Sequence, residues 1–205
     1  MQPKLEKYQG LIFDMDGTLI DTMPAHVAAW QKTADEFGFD FDPTWLHSLG
    51  GMPSSKIVLE VNRRFGLDLD PVLVSGFKMQ QFANSDSKGE LIAITHQVLL
   101  DHMGDKKVAI GTGAQREGAH ELLKARGVFD FFDAVVTATE VNNHKPLPDT
   151  FLLAAEQMKC EPSQCVVFED TLLGLQAAHA AGMDCYLVTE AGFVFKPVTE
   201  AAFTE

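Results

Sequence analysis

Apolar residues recur along this chain with two different periods. Short continuous runs sit at Leu11-Ile12-Phe13, Lys107–Thr112, Phe132–Val136, Gln164–Asp170 and Asp184–Val188. Each is too short for a helix and is bounded by turn residues, so each predicts a strand buried on both faces of a parallel sheet. Between them the apolar positions take a helical spacing, over Leu91–Met103, Glu117–Arg126, Pro148–Lys159 and Leu172–Ala181, with Gly127 and Gly182 closing two of these segments. Alternating strands and helices imply right-handed crossovers, hence an α/β fold built on a parallel, doubly wound sheet.

One stretch departs from the alternation. Residues 23–85 contain no strand-like run and read as helices throughout. Pro24 suits a first helical turn, with Thr22 beside it as a possible cap. Val27, Trp30, Ala34 and Phe37 follow at helical spacing up to Gly38. After the bend Gly50-Gly51-Met52-Pro53, a second helix is predicted over Ser54–Phe65, and a third from Asp70-Pro71 to about Phe82. The polar segment Asn84–Gly89 reads as a linker. The expected organisation is therefore a core made of residues 1–22 and 86–205, interrupted after its first strand by an all-helical insertion over 23–85. The end, Glu190–Glu205, leaves two readings open: Phe193, Val194, Phe195 and Phe203 pack on the core, or the terminus frays.

Composition narrows the partners. The chain has 205 residues and a net charge of −13, which argues against nucleic-acid or anionic-membrane surfaces as partners. No apolar run is long enough to span a bilayer, and Met1–Lys7 lacks the apolar stretch of a signal peptide. The three cysteines (Cys160, Cys165, Cys185) make no zinc pattern, and the last two fall in strand-like runs as buried thiols. A cytoplasmic setting and a monomer are expected.

Chemistry gathers where the strands end. Asp14 and Asp16 follow the first, Thr112 the second, Lys145 comes after the third, and Glu169 and Asp170 end the fourth. Strand ends of a parallel sheet lie side by side, where such folds bind ligands. Two adjacent carboxylates repel unless a cation joins them, and hard oxygens favour Mg²⁺. Phosphoryl transfer needs this inventory of a nucleophile, a metal, a hydroxyl or amide donor and a cation facing the developing charge. Taken singly, the same residues also read as turn aspartates, a strand-end hydroxyl, a solvated lysine and a helix N-cap pair. Gly111-Thr112-Gly113 is not a dinucleotide fingerprint, because the third glycine is missing.

Asp14-Met15-Asp16-Gly17-Thr18, Thr112, His144-Lys145-Pro146-Leu147-Pro148-Asp149 and Val166-Val167-Phe168-Glu169-Asp170, in this order, resemble the four motifs of the haloacid dehalogenase superfamily. Residues 23–85 resemble the inserted cap of its beta-phosphoglucomutase-like branch. The resemblance implies an Asp14 nucleophile that becomes an aspartyl phosphate and an Asp16 general acid and base. It implies Thr112 as a phosphoryl donor and Lys145 as the neutralising cation. Mg²⁺ would be held by Asp14, the Asp16 backbone carbonyl, Asp170 and Glu169. On the cap side it implies His26 touching substrate and Asp16, Thr22 at a hinge position that helps orient Asp16, and a substrate loop containing Gly51, Met52 and Ser54. The Met15, Asp16 and Gly113 amides are further candidate donors, and Arg116 could touch the substrate's distal end. Where the mutase has an arginine for a second phosphate, this chain has Ser54, with Lys56 and Lys78 as possible substitutes. The implied activity is thus a Mg²⁺-dependent phosphatase of small sugar phosphates such as fructose 1-phosphate. The alternatives are a beta-phosphoglucomutase and, from another class, a non-enzymatic phosphate- or metal-binding protein.

Overall fold

The computed structural model describes residues 3–198. Five parallel strands form the sheet: β1 (Gly10–Phe13), β2 (Lys107–Gly111), β3 (Ala134–Val136), β4 (Cys165–Glu169) and β5 (Asp184–Thr189). A sixth strand, β6 (Gly192–Lys196), pairs antiparallel to β5. The spatial order is β3-β2-β1-β4-β5-β6. The order reverses at β1, the most central of the early strands, which is where a doubly wound sheet opens a crevice.

Period-two alternation sends neighbouring residues to opposite faces. Leu11 and Phe13 join Val108, Ile110, Val166 and Phe168 on one face, under helices α5 (Ala93–His102) and α6 (Arg116–Ala125). Ile12 goes to the other face with Ala109, Val136 and Val167, under α7 (Asp149–Met158) and α8 (Leu172–Ala180). Both faces are covered, which is why the strands read as unbroken apolar runs. Cys160, Cys165 and Cys185 are free and buried.

Between β1 and α5 stand four helices: α1 (Met23–Phe37), α2 (Pro43–Ser48), α3 (Ser54–Phe65) and α4 (Pro71–Ala83). They enclose an apolar cluster of their own around Trp30, Phe39, Val58, Val61 and Val74. Helix α2 is additional to the helices expected from spacing. At six residues it is too short to show a period, and its signal is local: the Asp42 carboxylate accepts from Trp45 N–H at 3.0 Å, with Pro43 just inside the start. The two crossings between block and sheet are tied together, since Asp21 N–H donates to Glu90 C=O and Ile92 N–H to Leu19 C=O, each at 2.9 Å.

Within the described part of the C-terminal segment, Phe193 packs on the core while Val194 and Phe195 are exposed. Phe193 on β6 lies edge-on to Phe168 and Tyr186, at 5.5 and 6.2 Å between ring centres. Phe203 falls outside the described residues. No helix among the described residues is long and apolar enough to cross a membrane.

Candidate active site

Three strand ends lie side by side. Asp14 follows β1, Thr112 follows β2 and Glu169 closes β4, the two neighbours of β1 in the sheet. Lys145 arrives from the loop after β3. Its ammonium reaches Asp14 Oδ1 at 2.6 Å and Glu169 Oε1 at 2.7 Å, and all three side chains are essentially buried. Burial alone would lower the lysine's pKa, but the two carboxylates outweigh it and hold the ammonium above its ordinary value. Asp14 is pushed well above the usual carboxylate range by burial, against the pull of Lys145 and with Glu169, Asp170 and Asp16 adding to the rise. Burial and Glu169 push Asp170 up to about 7. One ammonium faces three crowded acids, and the excess negative charge calls for a second cation.

Oxygens of Asp14, Glu169 and Asp170 lie within 4.8 Å of one another. Glu169 is committed on both sides, with Oε1 on Lys145 and Oε2 accepting from Thr171 N–H at 2.6 Å and from the Thr171 hydroxyl at 2.8 Å. Asp170 Oδ1 takes the Thr18 hydroxyl at 3.0 Å. Asp14 Oδ2 and Asp170 Oδ2 accept nothing among the described residues, nor does the Asp16 backbone carbonyl. This hard-oxygen donor set fits Mg²⁺.

The N–H groups of Met15, Asp16 and Gly113 meet no acceptor among the described residues. Unpaired backbone donors beside a buried carboxylate form a cradle for an anion. The Thr112 hydroxyl accepts from Ala114 N–H at 3.0 Å, which leaves its own proton to donate. Gly113 admits a close approach, because a Cβ there would lie 2.2 Å from the Gly51 carbonyl oxygen. The helical block is thus closed on the sheet at this point.

Asp16 points away from the acid cluster and toward the helical block. Its Oδ1 accepts from the Thr22 hydroxyl at 2.7 Å and lies 3.3 Å from His26 Nε2. Thr22 makes no capping bond to α1, so its hydroxyl serves Asp16 instead of the helix. Behind His26, Lys78 Nζ meets Nδ1 at 2.6 Å. The ammonium can only donate, so Nδ1 accepts and Nε2 carries the proton toward Asp16. His26 also stacks on Phe82 at 4.1 Å. Burial would raise the Asp16 pKa, but His26, Thr22 and Lys78 together hold it low. Burial and the Lys78 charge lower His26, and burial takes Lys78 down to about 8.

Asp14, Asp16, His26, Gly51, Met52, Ser54, Thr112 and Gly113 all line one cavity of about 230 Å³ between block and sheet. Arg116 does not line it, because its Nε is 2.5 Å from Glu140 Oε1 and its side chain is half exposed. Its neighbour Gln115 lines the cavity, as does Lys78. Spacing alone did not separate 115 from 116 because both stand where α6 begins. Lys78 had a faint signal in the helical phase of α4, set against the usual solvated helix lysine. Lys56 is absent from the lining.

The haloacid dehalogenase-like hydrolase family matches residues 11–188, which is most of the chain. The chain belongs to this family. The fructose-1-phosphate phosphatase YqaB of Escherichia coli is 42% identical over 184 residues, spanning 87% of this chain and 95% of that one. The beta-phosphoglucomutase of Bacillus subtilis is 26% identical over 85% of this chain and 80% of its own length. A crystal structure of beta-phosphoglucomutase from Clostridium difficile superposes with a TM-score of 0.76, covering 87% of this chain and 83% of that one at 24% identity, and shows the same fold. As a member of this hydrolase family with a phosphatase relative at that identity, the chain is a phosphoric monoester hydrolase.

Proposed function

We propose that this hydrolase is a Mg²⁺-dependent phosphatase of small sugar monophosphates, fructose 1-phosphate among them, working through an aspartyl phosphate. The observation that carries the reading is the opposite environment of two aspartates one residue apart. Asp14 lies against Lys145 among acids and unpaired N–H groups, while Asp16 faces the cavity on a Thr22–His26 support.

The steps follow from these placements. The phosphoryl group settles against the Met15, Asp16 and Gly113 N–H groups and the Thr112 hydroxyl. Asp14 attacks phosphorus, and the bond to the sugar oxygen breaks. That oxygen takes a proton from Asp16, which His26 and Thr22 hold in line and which becomes protonated as the anionic phosphoryl group beside it offsets the charges that otherwise keep its pKa low. Asp16, now a base, removes a proton from water. The resulting hydroxide attacks phosphorus, the bond to Asp14 breaks, and phosphate leaves. Lys145 balances charge on Asp14 and the phosphoryl oxygens throughout. Asp14, Asp170 and the Asp16 carbonyl would hold Mg²⁺, with Glu169 buttressing the set, and the ion would supply charge neutralisation between the nucleophile and an anionic substrate. Residues 23–85 would act as a cap that opens for substrate and closes against water.

The mutase alternative needs a grip on a second phosphate. Ser54 and Gln115 stand on the cavity wall, and among the described residues no arginine does, while Lys78, the one lysine there, is turned to His26. The decisive experiment compares phosphate release from a panel of sugar phosphates with glucose 6-phosphate formation from beta-glucose 1-phosphate. Fast release from fructose 1-phosphate or a similar hexose phosphate, abolished by Asp14→Asn, is the expected result. Isomerised product with little free phosphate would replace the phosphatase by a mutase, and activity surviving Asp14→Asn would remove the nucleophile assignment.

A further inference from the structure

Helix α6 starts beside the active-site cavity and ends at Arg126, about 15 Å further along its axis. Gly127, at φ +69°, closes the helix behind it and fixes where the arginine stands. The Arg126 side chain is mostly buried, and it does not fork onto a carboxylate as guanidinium groups commonly do. Nε donates to the Gly89 carbonyl at 2.7 Å, and Nη2 donates to the same oxygen. Glu90 Oε1 lies 3.5 Å from Nη2, but that carboxylate is exposed and adds little. Lys88 supplies a second tie to the same helix, with Nζ 3.3 Å from Glu121 Oε1.

Gly89 is where the two crossings between helical block and sheet touch. Its φ of +94° is left-handed, and a Cβ there would lie 2.0 Å from the Asp21 carbonyl oxygen. One residue on, Glu90 C=O accepts from Asp21 N–H. Holding Gly89 therefore holds Asp21. The next residue is Thr22, whose hydroxyl supports Asp16, and α1 follows with His26. On the other side of Gly89 close packing stops. Residues 85–88 border a cavity of about 390 Å³ whose far wall is the last two turns of α6 and Arg126 itself. Interiors leave little empty space, so a void of this size beside a linker gives the linker room to move.

We infer that Arg126 is a latch on the hinge, holding Gly89 where the closed block requires it and releasing it as residues 85–88 shift into the cavity and the block opens. This rests on the reading of residues 23–85 as a cap. A contact moves such an equilibrium only when it is made in one state and lost in the other, and the void beside the linker provides the second state. Arg126 touches no reacting atom. It is a positioning residue that acts through Gly89 and Asp21 on Thr22 and His26.

The test compares fructose 1-phosphate with acetyl phosphate, whose leaving group departs without a proton and so depends little on Asp16 and its supports. In Arg126→Met the ratio of kcat/KM for fructose 1-phosphate to that for acetyl phosphate is expected to fall about tenfold, the usual worth of one hydrogen bond from a charged donor. Arg126→Lys, whose ammonium still donates to a carbonyl, is expected to restore most of it. A second measurement needs no turnover. Spin labels placed through Val72→Cys on α4 and Leu100→Cys on α5, both exposed positions, read the distance between block and core. In the substrate-free chain Arg126→Met is expected to lengthen and broaden that distance, and Arg126→Lys to leave it as it is. A lower Tm with both ratio and distance unmoved, or equal loss on both compounds at an unmoved distance, would overturn the latch. Failure of the cap reading shows separately, as one label distance in the unaltered chain with and without Mg²⁺ and inorganic phosphate, and the inference then falls with it.

Discussion

At the scale of single residues, Lys78 shows how burial and function oppose each other. The side chain is 2% exposed inside the helical block, where its nearest polar partners are His26 Nδ1 and the Met79 sulfur. Desolvation brings its pKa from 10.5 to about 8, which corresponds to about 3 kcal/mol of lost stability at neutral pH. Between pH 8 and 10.5 the unfolded chain holds this proton and the folded chain does not, so this residue's contribution to stability rises with pH across that window and the penalty is complete below it. Lys78→Met is therefore expected to be more stable than the unaltered chain by about 2–3 kcal/mol in urea denaturation at pH 7, with the difference shrinking toward pH 10. The same variant loses the donor that fixes the His26 tautomer and the charge that lowers Asp16. Its kcat is expected to fall at least tenfold, and a limb near pH 8 in the unaltered chain's kcat/KM profile is expected to vanish. A variant that is less stable at pH 7, or keeps that limb, would show that the buried ammonium plays neither part.

At the scale of elements, the turn from β4 into α8 carries more than its length suggests. The Thr171 hydroxyl caps α8 by accepting Gly174 N–H at 3.0 Å and donates to Glu169. Glu169 then accepts from Lys145, which donates to Asp14 as well. The helix start, the buried acid and the counter-ion of Asp14 are one chain of contacts. Gly174 makes room for it, because a Cβ there would lie 1.9 Å from the Glu169 carboxyl. Gly174→Ala is expected to lower stability by about 1–3 kcal/mol through overpacking and to lower kcat by displacing Lys145. Unfolding and kinetic measurements on the one variant check both, and a stable variant with full activity would separate this turn from the site. The sequence showed Glu169-Asp170 as acids at a strand end and offered an N-cap role as an alternative. The cap is Thr171, two residues beyond the end of β4, so neither acid is used as the cap.

At the scale of the molecule, the sheet collects three acids with one ammonium, and the closed helical block shields them from water. A divalent cation binding only the folded chain would stabilise it by mass action. Saturating Mg²⁺ is expected to raise Tm by about 5 °C or more for a chain of this size, and Asp170→Asn is expected to abolish the rise. Calorimetry reads this without any substrate, and a Tm indifferent to Mg²⁺ would reject the donor set.

The sequence by itself determined the α/β class, its parallel strands and the positions of Asp14, Asp16, Thr112, Lys145, Glu169 and Asp170. Strand ends are marked locally, by apolar runs that stop at polar residues, and a parallel sheet brings such ends together whatever the details of its packing. It determined three of the four helices between β1 and α5 for the same reason, since a helical period is legible over three turns but not over the six residues of α2. Only the tertiary structure decided that Lys78 supports His26 from 52 positions away and that Gln115 rather than Arg116 lines the cavity. Each of these depends on which long side chain finds a partner across elements distant in sequence, Glu140 for Arg116 and His26 for Lys78. Such a choice is settled by desolvation and geometry at the moment of packing, and no local pattern carries it.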